Sequence, residues 1–68
     1  LRRALEHALA ELPADLRAAV ILRDLEGLST AEGARVVGAR EAAFKSRLHR
    51  GRMRLRTLLE PYLEDDDG

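Results

Sequence analysis

Apolar residues recur at helical spacing from the first residue onward. In the opening segment, L-R-R-A-L-E-H-A-L-A-E-L, the apolar positions Leu1, Leu5, Ala8, Leu9 and Leu12 fall three or four apart, which predicts a leading helix over 1–12. Pro13 stops that run and suits the first turn of a second helix, where its missing N–H costs nothing. Leu16, Ala19, Val20 and Leu22 carry the second helix to about Leu25, with Gly27 placed to end it. Ser29-Thr30-Ala31-Glu32 has the form of a capping box, opening a short third helix over 30–37 that Gly38 closes. A fourth helix is expected over 41–59, with Pro61 disturbing its end. Nothing alternates with period two, so no strand is predicted. The fold class is all-α: a small four-helix domain in which Gly38-Ala39-Arg40 is a tight turn between the last two helices.

The fourth helix has two distinct faces. At about 100° per residue, Leu48, Gly51, Leu55, Leu58 and Leu59 cluster around Phe44 as a core stripe. Ala42, Ser46, His49 and Met53 lie opposite, flanked by Lys45, Arg50 and Arg56, while Arg47, Arg52 and Arg54 border the core. Gly51 within the apolar stripe costs about 1 kcal/mol of helix propensity against Ala. It is explained if another helix crosses closely there.

Charge changes the picture more than composition does. The chain is formally neutral, yet seven of its twelve basic residues lie in the window Arg40–Arg56, whose one acid is Glu41. That window carries +6, residues 1–39 carry −1 and residues 57–68 carry −5. A patch of this sign on a helix is a polyanion-binding surface. The tail 64–68, Glu-Asp-Asp-Asp-Gly, is expected to be disordered and acidic, outside a domain spanning 1–63.

The remaining composition mainly excludes. With one Phe, one Tyr and no Trp, the core is aliphatic. No cysteine means no disulfide or thiolate site, and His7 and His49 have no ligand set around them, so neither metal nor cofactor is expected. The longest apolar run, Ala18–Leu22, cannot span a bilayer, and a cytoplasmic protein without membrane contact is the expectation. Glu32 reads as a capping residue, and no acid–base or nucleophilic pair suggests an enzyme. Tyr62 and Leu63 read as packing residues near the end. Leu1 in place of methionine makes a longer parent chain the expectation.

A short capped helix, a tight turn and a basic helix form a helix-turn-helix, in which the first helix props the second into the major groove. The residues of this motif and its approach resemble region 4 of the extracytoplasmic-function (ECF) group of sigma-70-type sigma factors. Leu12-Pro13, the run Leu22-Arg23-Asp24-Leu25-Glu26-Gly27-Leu28-Ser29, and Lys45-Ser46-Arg47-Leu48-His49-Arg50 carry the resemblance, within a stretch of about residues 12–59. It implies that the fourth helix recognises the −35 promoter element in duplex DNA, and that the domain contacts the beta-subunit flap of RNA polymerase core. Transcription initiation is the implied role, with an anti-sigma factor as a regulatory partner and a region 2 upstream. By position, Lys45, Ser46, His49 and Arg50 match groove-facing residues, and Arg52 and Arg23 match phosphate-contacting ones. Arg40 and Ala42, at the leading end of the helix, complete the DNA-binding set; Ala42 and Ala43 permit close approach.

This chain departs from the family pattern at several positions. Gly33 and Ala39 replace larger aliphatics, Phe44 replaces Val, and Ala43 replaces a common Thr. Phe44 is expected to refill part of the volume lost at Gly33 and Ala39. Two other readings stand beside a promoter-binding domain. A LuxR-type response-regulator output domain shares the capped Gly-Leu-Ser helix but would show Thr-Val before the lysine, where Ala43-Phe44 stands. A region 4 module acting mainly as a protein-interaction platform would use overlapping faces.

Overall fold

The computed structural model describes residues 1–64, with only the backbone of Glu64. Four α-helices follow one another: α1, Arg2–Glu11; α2, Ala14–Val20; α3, Thr30–Val37; and α4, Glu41–Glu64. α2 runs directly into a wider π-helical turn, Ile21–Leu25. No strand occurs among the described residues, so the all-α, four-helix expectation holds.

Local chemistry sets each junction. Leu12 is extended (ψ 144°), as a residue before proline prefers, and its N–H donates to the Leu9 carbonyl. Pro13 is the N-cap of α2, one position earlier than expected, and its carbonyl accepts from the Arg17 N–H at 2.9 Å. Arg17 also ties α2 to α1, donating from Nη1 to the Ala10 carbonyl at 3.3 Å. The π turn is closed by Glu26 N–H donating to the Ile21 carbonyl, five residues back, at 2.8 Å. Leu28 N–H then reaches the Leu22 carbonyl at 3.0 Å, around Gly27 at φ +79°. A side chain would be strained in that left-handed conformation.

The expected capping box is present on α3. Ser29 Oγ accepts from the Glu32 N–H at 3.1 Å, and the Ser29 N–H donates to Glu32 Oε1 at 2.8 Å. At the other end Gly38 is left-handed, the Gly38 N–H donates to the Arg35 carbonyl and the Ala39 N–H to that of Ala34. This paired closure reverses the chain within three residues and starts α4.

Around α4 the core assembles. Phe44, Leu48 and Leu55 are buried with Ala8 and Leu12 from the first helix, Leu16, Ala19 and Val20 from the second, and Ala34 from the third. Leu58 and Leu59 pack against this cluster, as the apolar stripe predicted. Leu1 does not join it and is 76% exposed; Ala4 is buried instead. Among the described residues Phe44 is the one large side chain with no exposure at all, and its ring fills the space beside Gly33. A Cβ on Gly33 would lie 2.9 Å from both Cε1 and Cε2 of that ring and closer still to Cζ. At Gly51 a Cβ would lie 2.8 Å from Val20 Cγ2 and 3.1 Å from the Leu16 carbonyl oxygen. Gly51 is therefore the point where α2 crosses α4 at backbone distance.

The end of α4 departs from expectation. The helix continues past Leu59, takes in Pro61 and runs to Glu64, the last described residue and the first of the expected tail. A proline there removes one hydrogen bond, to the carbonyl of exposed Thr57, close to a terminus where ladder bonds are ending anyway. The rest of the acidic tail, residues 65–68, lies outside the described residues. Tyr62 and Leu63 are about half exposed (50% and 46%), not the packing residues their composition suggested. At 24 residues α4 is about 36 Å long. It sets the long dimension of a body measuring 42 × 18 × 18 Å.

Candidate nucleic-acid interface

The leading half of α4 carries the charge. Because Phe44 and Leu48 turn toward the core, Ala42, Lys45, Ser46, His49 and Arg50 are left exposed across its first three turns. Arg40 is exposed just before them, its carbonyl accepting the Phe44 N–H at 2.9 Å and so starting the helix. The residues predicted to face a groove therefore share one accessible face. α3 packs on α4 through Gly33, Ala34 and the Phe44 ring, and this closeness fixes the angle between the two helices of the motif.

Helical geometry sorts the cations into two ridges. Lys45, His49, Arg52 and Arg56 recur at intervals of four, three and four residues along one edge of the exposed face. Arg47, Arg50 and Arg54 form the other edge. Each ridge meets one carboxylate from the second helix. Arg52 donates from Nε to Asp24 Oδ2 at 2.8 Å and from Nη2 to Oδ1, a bidentate pair. Arg47 Nε lies 3.9 Å from Asp15 Oδ2. Asp15 and Asp24 thus stand on opposite edges of α4, at the two ends of the segment that crosses it at Gly51.

The electrostatics follow from these contacts. Hydrogen bonds from Arg52 hold the Asp24 carboxyl below its ordinary value, helped by the charges of Arg52 and of neighbouring Arg23 and opposed by partial burial. Arg52 is in turn shifted further up. Glu32 is lowered by the Ser29 backbone N–H and hydroxyl of the capping box. No group of three or more potential metal-ligating side chains occurs among the described residues, and no helix among them is long and apolar enough to cross a membrane.

The sequence profile of the family described as sigma-70, region 4, matches residues 2–55. The chain belongs to that family. Its curated relatives include the ECF RNA polymerase sigma factor SigE of Mycolicibacterium smegmatis, 47% identical over 55 residues that cover 81% of this chain and 21% of SigE. The ECF RNA polymerase sigma factor SigM of Mycobacterium tuberculosis is 46% identical over 56 residues, covering 82% of this chain and 29% of SigM. The chain spans less than a third of the length of either. Membership in region 4 leaves the LuxR-type alternative without support.

Within this region 4 fold, the eight residues singled out for DNA do not stand alike. Six of them, Arg40, Ala42, Lys45, Ser46, His49 and Arg50, are exposed together at the start of α4. Arg50 leans back along the helix, its Nε donating to the Ser46 carbonyl at 3.5 Å. Arg52 and Arg23 sit apart from these, around Asp24, and Arg23 is half-buried in the π turn. Asp24 was the residue that sequence reasoning missed as the partner of Arg52. It lay in a noticed motif, but its partner is 28 positions away. A shallow groove between Pro13, Asp15 and Leu16 on one side and His49, Arg50, Met53 and Arg54 on the other runs beside the basic face.

Proposed function

We propose that this region 4 domain recognises the −35 element of promoters in duplex DNA and so directs RNA polymerase in transcription initiation. The reading rests on one observation above others: a capped helix-turn-helix whose second helix exposes Lys45, Ser46, His49 and Arg50 on one accessible face. Side chains of these types donate to or accept from base edges in the major groove, and Ala42 and Ala43 leave room for the helix to approach. Arg23, Arg40 and Arg54 then act on phosphates, fixing register without reading sequence, while Arg52 stands beside them engaged by Asp24. The domain so assigned covers 1–63 and works in the cytoplasm, against the beta-subunit flap of RNA polymerase core.

An anti-sigma factor that covers the same face is the regulatory partner in this reading. The exposed apolar side chains favour it: Leu25, Val36 and Met53 are all more than half exposed, and Met53 lies among the basic residues of α4. Such surface is commonly covered by a protein partner.

Selecting duplexes from a random library with this chain tests the base-reading role directly. An enriched motif is expected. Arg50→Ala should then cost about 1–3 kcal/mol on the enriched site and less on a scrambled one. Equal losses on both would reduce Arg50 to a phosphate contact, and a library that yields no enrichment would remove base recognition altogether.

A further inference from the structure

We infer that Asp24 limits the electrostatic strength of the DNA-binding surface: by engaging Arg52 it withholds one cation of the ridge Lys45–His49–Arg52–Arg56 from DNA phosphates. The inference rests on the DNA-binding reading above. It starts from geometry. Asp24 occupies the Nε–Nη2 edge of the guanidinium, the edge best suited to bidentate binding of carboxylate or phosphate. A phosphate approaching Arg52 must either displace Asp24 or bind with a carboxylate beside it.

Folding gives part of the reason for the pair, and a modest one. Its geometry is bidentate, but both side chains are partly exposed (51% for Arg52 and 32% for Asp24), which limits what it adds to stability. Its placement matters more. The π turn extends the second helix so that its end lies beside the middle of the ridge, and the pair joins residues 28 apart. Contacts to phosphate strengthen binding to any sequence equally, so holding back one of them lowers affinity for every duplex alike and leaves base reading by Lys45, Ser46, His49 and Arg50 untouched. Asp24 in this way sets how strongly the domain is held by DNA of any sequence.

The test is a salt titration of this chain on a random-sequence duplex, with Asp24→Asn, Glu26→Gln and Arg52→Gln made for comparison. Freeing Arg52 adds one phosphate contact, so Asp24→Asn should bind more tightly at low salt. The slope of log affinity against log salt should steepen by about 0.9, so that its advantage over the wild type shrinks about three- to fourfold between 50 and 200 mM. Glu26→Gln removes the same charge two residues away without releasing an arginine, and should shift the slope far less. In an Arg52→Gln background, Asp24→Asn should no longer steepen it. A wild type that binds in a salt-dependent way, with Asp24→Asn unchanged in slope or matched by Glu26→Gln, overturns this inference alone. No binding by any of the proteins at 50 mM overturns the DNA-binding reading and this inference with it. Circular dichroism of each variant separates either outcome from unfolding, and should Asp24→Asn be unfolded, Asp24→Ser takes its place in the same comparison.

Discussion

Phe44 and Gly33 show how a departure from a family pattern can be resolved by one side chain. A ring with no exposure, lying where a second Cβ would have to be, makes the two positions one packing decision. Gly33→Ala should therefore destabilise by about 1–3 kcal/mol through overpacking, although alanine is the better helix former. Phe44→Val should leave a cavity, at a cost below the roughly 3–5 kcal/mol of a Phe→Ala change. Together the two substitutions should cost less than their sum, with a coupling of about 0.5–3 kcal/mol measured by urea unfolding. Strict additivity would mean that the ring does not use the space at Gly33. This compensation was legible in the sequence because both departures sit in a motif whose packing is stereotyped. The Asp24–Arg52 pair was not, since no local pattern links a carboxylate to a guanidinium 28 residues on.

At the scale of elements, boundaries governed by near neighbours were the readable ones. The Ser29–Glu32 capping box and the left-handed Gly38 need only residues within a few positions, and both formed as expected. The far end of α4 was misread because Pro61 stops a helix in its interior but costs little in its last turns. The π turn had no signature at all: Ile21-Leu22-Arg23-Asp24-Leu25 is as good an α-helical run as a π-helical one. The cap also gives a prediction in pH. Glu32 and Asp24 both have lowered folded-state values, so the stability they confer is complete above their ordinary values, 4.5 and 3.8. It is lost as pH falls through the lower folded values. Melting temperature should thus decline on acidification from pH 6 toward 3, and less steeply in Glu32→Gln. Ser29→Ala should remove about 1 kcal/mol at neutral pH. Parallel pH curves for wild type and Glu32→Gln would show that the carboxylate end of the box is energetically idle.

For the molecule as a whole, a formal charge of zero conceals its most consequential property. The basic window was visible in the sequence, and the exposure of its leading face was inferred correctly from the apolar stripe opposite. The number of cations available to DNA could not be read in that way. Of the seven in the window, Arg52 and Arg47 lie against Asp24 and Asp15, which leaves five facing solvent without a carboxylate partner among the described residues. With about five phosphates neutralised, log affinity for duplex DNA should fall against log salt with a slope near −4 to −5. Fluorescence anisotropy between 50 and 200 mM salt measures this. A slope near −6 or steeper would mean that both aspartates yield to phosphate, and a flat response would rule out an electrostatic interface.

The π turn also limits how the length of this chain can change. An i→i+5 turn holds one more residue than an α turn, so loss of one residue from Ile21–Leu25 would leave an ordinary helix that closes just as readily. The Ile21 carbonyl would still close onto the Glu26 N–H, so everything downstream would keep its place relative to Val20. The same loss within Ala14–Val20, which has no extra residue to give up, would turn everything downstream by about 100° and carry the end of the second helix off the edge of α4. Two gaps that an alignment would score alike therefore differ: one is absorbed, and the other resets the phase between the crossing helix and the motif that follows it.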